Sequence, residues 1–195
     1  MTIWMTARGA GLSALILLTL STGLGALASR RSAVSASNRV VLQYMHRTAG
    51  ALGIGVLIVH IATILADSYA HVGVSGAIVP FTSSYRATWV GLGSLAAYCL
   101  VLVSAIGFAR GRLAGSPLGA RLWRSIHAFA YGAWALAIGH GFMSGTDSSV
   151  TWVRVLYVAC LVSVAGCVWA RLASRPSSTD RPMPRVLVNS AGGSR

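Results

Sequence analysis

Five apolar stretches, each on the scale of the roughly 20 residues that cross a hydrocarbon core, constrain this chain more than any other feature. They run from Ile3 to Ala28, Tyr44 to Leu65, Trp89 to Ala109, Leu122 to Met143 and Val150 to Ala170. A segment in lipid has to satisfy its own backbone polar groups, which a helix does. The expected fold class is therefore all-α: a polytopic integral membrane helical bundle with five transmembrane helices.

Composition agrees. Of 195 residues, 55% are apolar and only 10% charged, and the chain contains no Lys and no Glu, only sixteen Arg and three Asp. A soluble domain of this size would need both signs of charge over its surface, so these helices are expected to face a lipid bilayer. The net charge of +13 does not imply nucleic acid, because the arginines sit in the gaps between apolar blocks instead of forming a stripe interleaved with aromatics. Cys99, Cys160 and Cys167 lie inside apolar blocks without C-x-x-C spacing, which reads as small packing residues, not as a disulfide framework or zinc site.

Arginine placement predicts the topology. Arg30, Arg31, Arg39 and Arg47 surround the first connection, Arg110, Arg112, Arg121 and Arg124 the third, and Arg171, Arg175, Arg181, Arg185 and Arg195 the C-terminal end. These ends are expected in the cytoplasm, and Arg8, Arg86 and Arg154, with Asp67 and Asp147, on the other side. The N-terminus is then outside and the C-terminus cytoplasmic. Ala26-Leu27-Ala28 resembles a signal-peptidase site, but the long apolar run and the following Arg30 and Arg31 favour a retained helix. Residues 1–173 form the expected membrane domain, and 174–195, rich in Ser, Pro and Arg, a disordered basic tail. The outer connection from Asp67 to Thr88 carries Tyr69, His71, Ile78, Val79, Pro80, Phe81 and Tyr85; too apolar to float in water, it is expected to lie over the mouth of the bundle. No internal repeat at a fixed period is evident.

Ionisable residues inside membrane helices are costly and point to function, and four of the five histidines fall in two of the predicted spans. His46 and His60 are fourteen positions apart, which on a helix leaves them about 40° apart in phase and about 21 Å apart in height. His127 and His140 are thirteen positions apart, with a similar rise of about 20 Å but a phase difference of about 140°. A bulge or tilt has to bring both rings inward there, with Gly132 and Gly139 as candidate places. Pairing by depth sets His46 with His127 near the cytoplasmic ends and His60 with His140 nearer the outside. Each pair supplies two imidazoles to one iron, and the expected cofactors are two b-type haems, whose bis-histidine ligation suits electron transfer over gas binding.

Gly50 and Gly53 thin the same face of the second span, either for porphyrin approach or for close helix packing. Arg47 and Arg124 flank the inner histidines, where guanidinium suits haem propionates, although positive-inside placement explains them equally; Arg86 is the corresponding candidate for the outer haem. Trp134, seven positions after His127, reads first as a packing residue. His71 in the outer loop reads as a solvated histidine. The competing account of the four histidines is an interhelical hydrogen-bond set or a proton relay, but a relay normally includes membrane carboxylates, and Asp67 and Asp147 both lie at outer ends.

With H-x13-H in one helix and H-x12-H two helices later, the chain resembles the ferric-reductase-like transmembrane family, the haem domain shared with NADPH oxidases and metalloreductases. The stretches Ala7-Arg8-Gly9-Ala10-Gly11-Leu12, Val79-Pro80-Phe81-Thr82-Ser83-Ser84-Tyr85-Arg86 and His140-Gly141 look like short bacterial members. The resemblance implies inner-haem ligation by His46 and His127, outer-haem ligation by His60 and His140, and residence in the bacterial cytoplasmic membrane. Larger members carry a cytoplasmic FAD and NADPH domain; no Gly-rich dinucleotide fingerprint follows the last span here, so no FAD or NAD(P) site is expected in this chain. The expected function is that of a transmembrane electron-transfer subunit, an oxidoreductase component taking electrons from a separate donor and passing them to an external acceptor such as ferric chelates or a flavoprotein partner. A quinone-linked cytochrome b subunit, or a haem-containing membrane sensor or assembly factor, is the alternative.

Overall fold

A computed structural model describes residues 2–29, 35–67 and 71–173. Arg30, Arg31, Tyr69 and the tail 174–195, all used in the topology argument or the domain division, lie outside the described residues. Among those described there are helices and no strands: α1 (Thr2–Ala28), α2 (Ala36–Ala66), α3 (Gly73–Ile78), α4 (Ala87–Phe108), α5 (Arg110–Leu113), α6 (Pro117–His127), α7 (Phe129–Ser144) and α8 (Thr151–Ala173). Four of them, α1, α2, α4 and α8, are long and apolar enough to cross a membrane, and the molecule is a multi-pass helical bundle.

The predicted fourth span is not one helix. It divides at Ala128 into α6 and α7. The first piece starts at an N-cap, Ser116, whose hydroxyl accepts the Gly119 N–H at 3.0 Å ahead of Pro117, a pairing that sets a helix start. It is amphipathic and carries Arg121 and Arg124, which suits the membrane surface, whereas α7 is apolar apart from His140 and Ser144 at its end. The join includes a tight turn, Tyr131 N–H donating to the Ala128 carbonyl at 3.2 Å. Such an i to i+3 turn advances about 120° per residue instead of about 100°. Over one such turn that adds about 60° of the roughly 140° that separates His127 and His140 in phase, and so rotates the two rings toward one side. Gly132 and Gly139, the positions expected to provide it, are ordinary helical residues of α7.

Two hairpins frame the molecule. α1 packs along α2, and α4 packs along α6 and α7, while α1 also contacts α7 and α8 and so ties the halves together. It is the most buried helix, with Ala7, Ala14, Leu15, Thr19, Ser21, Gly23, Ala26 and Ala28 enclosed. α2, by contrast, buries only Ala49 and Gly53 over its 31 residues. Gly53 would meet Leu17 and Leu18 with any added Cβ, and Gly50 would meet Ser21, so both glycines admit α1. Leu15, Ile138, Val153, Tyr157 and Cys160 form the main core, where Cys160 is a packing residue as expected.

The connection between α2 and α4 folds back on α4. Phe81 lies against Gly91, the Ser94 hydroxyl donates to the Ala77 carbonyl at 2.9 Å, and Val72 packs with Val90, Trp4, Ile64 and Tyr85. Val72, Ala77 and Tyr85 wall one end of the central cavity, while His71 is exposed.

Candidate functional site

Because α2 meets protein on one side only, its other side borders a hollow. The cavity between the two hairpins measures about 2620 Å³, and His46, His60, His127 and His140 all line it. A single small-molecule site is typically about 300–1,000 Å³, so this space admits more than one large ligand.

The histidines meet two by two across it. His46 faces His127 with ring centres 6.1 Å apart and planes at 80°. His60 faces His140 at 6.4 Å and 76°. Two imidazoles on opposite sides of one metal ion, each nitrogen about 2 Å from it, stand roughly 6 Å apart centre to centre, so both spacings fit a shared iron. Among the described residues no third His, Cys, Asp or Glu joins either pair to make a cluster of three.

Hydrogen bonds orient the rings. His60 Nδ1 lies 2.8 Å from the Ala7 carbonyl, His140 Nδ1 2.8 Å from that of Trp89, and His46 Nδ1 2.8 Å from that of Ser21. A carbonyl only accepts, so Nδ1 carries the proton and Nε2 keeps its lone pair for the cavity side. This is the tautomer that metal-bound histidines adopt when a neighbouring group fixes the ring. The Ser21 hydroxyl adds a bond, 3.0 Å from His46 Nδ1 and donating to the His46 carbonyl at 3.1 Å. His127 differs in degree: its ring is turned to the Val103 carbonyl without closing an ordinary hydrogen bond from its buried Nδ1, and it stacks on Trp123 at 5.3 Å and 19°.

Each ring also rests on a glycine of the neighbouring helix. A Cβ on Gly11 would stand 3.0 Å from His60, on Gly25 3.2 Å from His46, on Gly93 2.6 Å from His140, and on Gly107 3.5 Å from His127. Three of these glycines lie four residues after the carbonyl that holds the ring: Ala7 and Gly11, Ser21 and Gly25, Trp89 and Gly93. The reason is geometric. A helical carbonyl points toward residue i+4, so an imidazole reaching that carbonyl from the side passes over the i+4 Cα, where a side chain would block it. Both glycine pairs, Gly11 with Gly25 and Gly93 with Gly107, step by fourteen, the same step as His46 to His60. The signal in the sequence therefore lies in the fourteen-residue glycine steps of α1 and α4, the partners of the histidine-bearing helices, and not in Gly50 and Gly53 of α2.

Charges are distributed unevenly. Arg39, Arg47, Arg110, Arg124 and Arg171 line the cavity at the His46–His127 end and Arg8 lines it at the other. Arg110 sits over the Trp123 ring at 5.0 Å. Arg47 and Arg124 both border the cavity at this end. Arg86 does not border the cavity; its guanidinium bonds the Met143 carbonyl and its neighbour Tyr85 donates to Ser144 O at 3.0 Å. Trp134 borders the cavity and the core at once, with its indole N–H donating to the Thr19 hydroxyl at 2.9 Å. Comparison with protein families, characterised proteins and solved structures gives no match.

Proposed function

We propose that this protein is a transmembrane electron-transfer subunit that holds two b-type haems, His46 with His127 ligating one and His60 with His140 the other. The observation that carries this reading is the pair of facing imidazoles at 6.1 and 6.4 Å, with three of the four Nδ1 atoms 2.8 Å from backbone carbonyls. A bound haem supplies a one-electron couple at iron, and two imidazoles leave that iron no open position for a gas. The protein's part is to set the ligand tautomer, exclude water and hold the two sites about 21 Å apart along α2. Arg47 and Arg124 are placed to neutralise carboxylates of the inner group.

The excess of arginine at the His46–His127 end supports assigning that end to the cytoplasm, with the N-terminus outside and the C-terminus inside. A fifth crossing made by α7 with the last turn of α6 completes that parity. With the cytoplasm negative, an electron moving outward is favoured by about 2.3 kcal/mol per 100 mV, so flow runs from a separate cytoplasmic donor to an external acceptor such as a ferric chelate or a flavoprotein, across a bacterial cytoplasmic membrane.

The test is an optical spectrum of the purified chain in detergent. Reduced b-type bands at two haems per chain are expected, falling to one on His60→Ala or His46→Ala; a colourless protein expressed with sufficient haem would sink the reading. Reconstituted vesicles holding an internal reductant should reduce an impermeant external acceptor. If only the reverse arrangement works, the direction is wrong.

A further inference from the structure

At the outer end, one charge stands inside an otherwise apolar helix. Arg8 lies two turns into α1, next to Ala7, whose carbonyl fixes the His60 ring, and it lines the cavity at that depth. Trp4, one turn earlier, lies under the guanidinium at 5.8 Å, close enough for a cation–π contact. The only carboxylate paired with it among the described residues is Asp147, from the connection between α7 and α8. Their side chains are 34% and 25% exposed, so the pair sits at the mouth and can exchange partners.

We propose that Arg8 is the anchor for a carboxylate of the outer haem, and that Asp147 is its counter-charge, competing for the same guanidinium. The inference rests on the two-haem reading. Arg86, the other arginine of this end near the site, is committed to the Met143 carbonyl, while Arg8 faces the space that the His60–His140 pair borders. An Arg beside the group stabilises its more negative reduced form, and a carboxylate beside it does the opposite. Arg8 and Asp147 therefore act on the outer potential with opposite sign. A mere tether between α1 and the α7–α8 connection would behave differently, because removing either partner breaks the same link.

The experiment is a redox titration of the full chain in detergent, followed by the haem absorbance, for wild type, Arg8→Gln, Arg8→Lys and Asp147→Asn. Arg8→Gln should lower the midpoint of the outer haem, Asp147→Asn should raise it, and Arg8→Lys should fall between wild type and Arg8→Gln; the inner midpoint should stay in place. Outer and inner steps are assigned with His46→Ala, which keeps only the outer haem. Equal-sign shifts for Arg8→Gln and Asp147→Asn, no shift, or equal shifts of both haems would overturn the assignment while leaving the two-haem reading intact. Should Arg8→Gln fail to fold, Asp147→Asn and Arg8→Lys still decide the sign. A wild-type chain without haem overturns the underlying reading, and the anchor with it.

Discussion

The His60–His140 and His46–His127 pairs, outer and inner in the proposed topology, share a spacing but are held differently. In the outer pair both Nδ1 atoms are bonded to backbone carbonyls at 2.8 Å, the glycines beneath them are the tightest of the four against their rings, and one Arg is matched by one Asp. In the inner pair His46 has two partners, whereas His127 reaches the Val103 carbonyl only loosely and ends α6 immediately before the break at Ala128. Five arginines border that end of the cavity. The His60–His140 pair is thus held by two backbone carbonyls, whereas in the His46–His127 pair one ring is held by a carbonyl and the other chiefly by an aromatic stack. A helix carbonyl moves only with its helix; a stacked indole can slide.

The largest expected effect tests the backbone clamp directly. Gly93→Ala puts a Cβ 2.6 Å from His140 Nδ1 and 2.7 Å from Cε1, so the imidazole has to leave the Trp89 carbonyl. Outer-haem content should fall by at least half, with the inner haem retained. Gly107→Ala places its Cβ 3.5 Å from His127, an ordinary contact, and should keep both haems. Gly11→Ala at 3.0 Å and Gly25→Ala at 3.2 Å should rank between them. Pyridine haemochrome content per chain gives the ranking, and equal losses at Gly93 and Gly107 would break the distinction between the pairs.

Trp123 carries the corresponding role on the inner side. Replacing it with Ala removes the face on which His127 stacks and on which Arg110 rests. Loss of a group that orients a metal ligand typically weakens binding about 10–100-fold. Selective loss of the inner haem on dilution or dialysis is expected, with Trp123→Phe largely preserving it. Ser21→Ala should cost less, since the Ser21 carbonyl still accepts from His46; the missing hydroxyl bond is worth about 0.5–1.5 kcal/mol, read as a small fall in the melting temperature of the inner site.

Much of this architecture was legible in the sequence because lipid enforces simple rules. Long apolar blocks became helices α1, α2, α4 and α8 nearly where composition put them, and the histidine steps paired the four rings correctly by depth. The fourth block misled, because hydropathy alone does not separate a surface helix from the span it feeds: Leu122 opens the apolar count, yet Arg121 and Arg124 belong to α6 with it. The glycine steps on α1 and α4 were present in the sequence but carry no meaning until the antiparallel packing sets Gly11 beside His60 and Gly25 beside His46. Arg8 was overlooked as a site residue for a similar reason. Its neighbours Trp4 and Asp147 converge on it only after folding.

The smallest effect sharpens where the inner side yields. If the phase change between His127 and His140 is made at Ala128, then Gly132, with nothing within 4 Å of an added Cβ, is a plain interior helix residue. Gly132→Ala should then keep both haems and raise stability by about 0.5–1 kcal/mol, the usual gain of Ala over Gly inside a helix. Thermal denaturation followed by haem absorbance would show it as a rise of a few degrees at most. A loss of the inner haem in Gly132→Ala would instead mean that the helix bends at this glycine when ligand is bound, and that the turn at Ala128 is not the joint on which the inner pair depends.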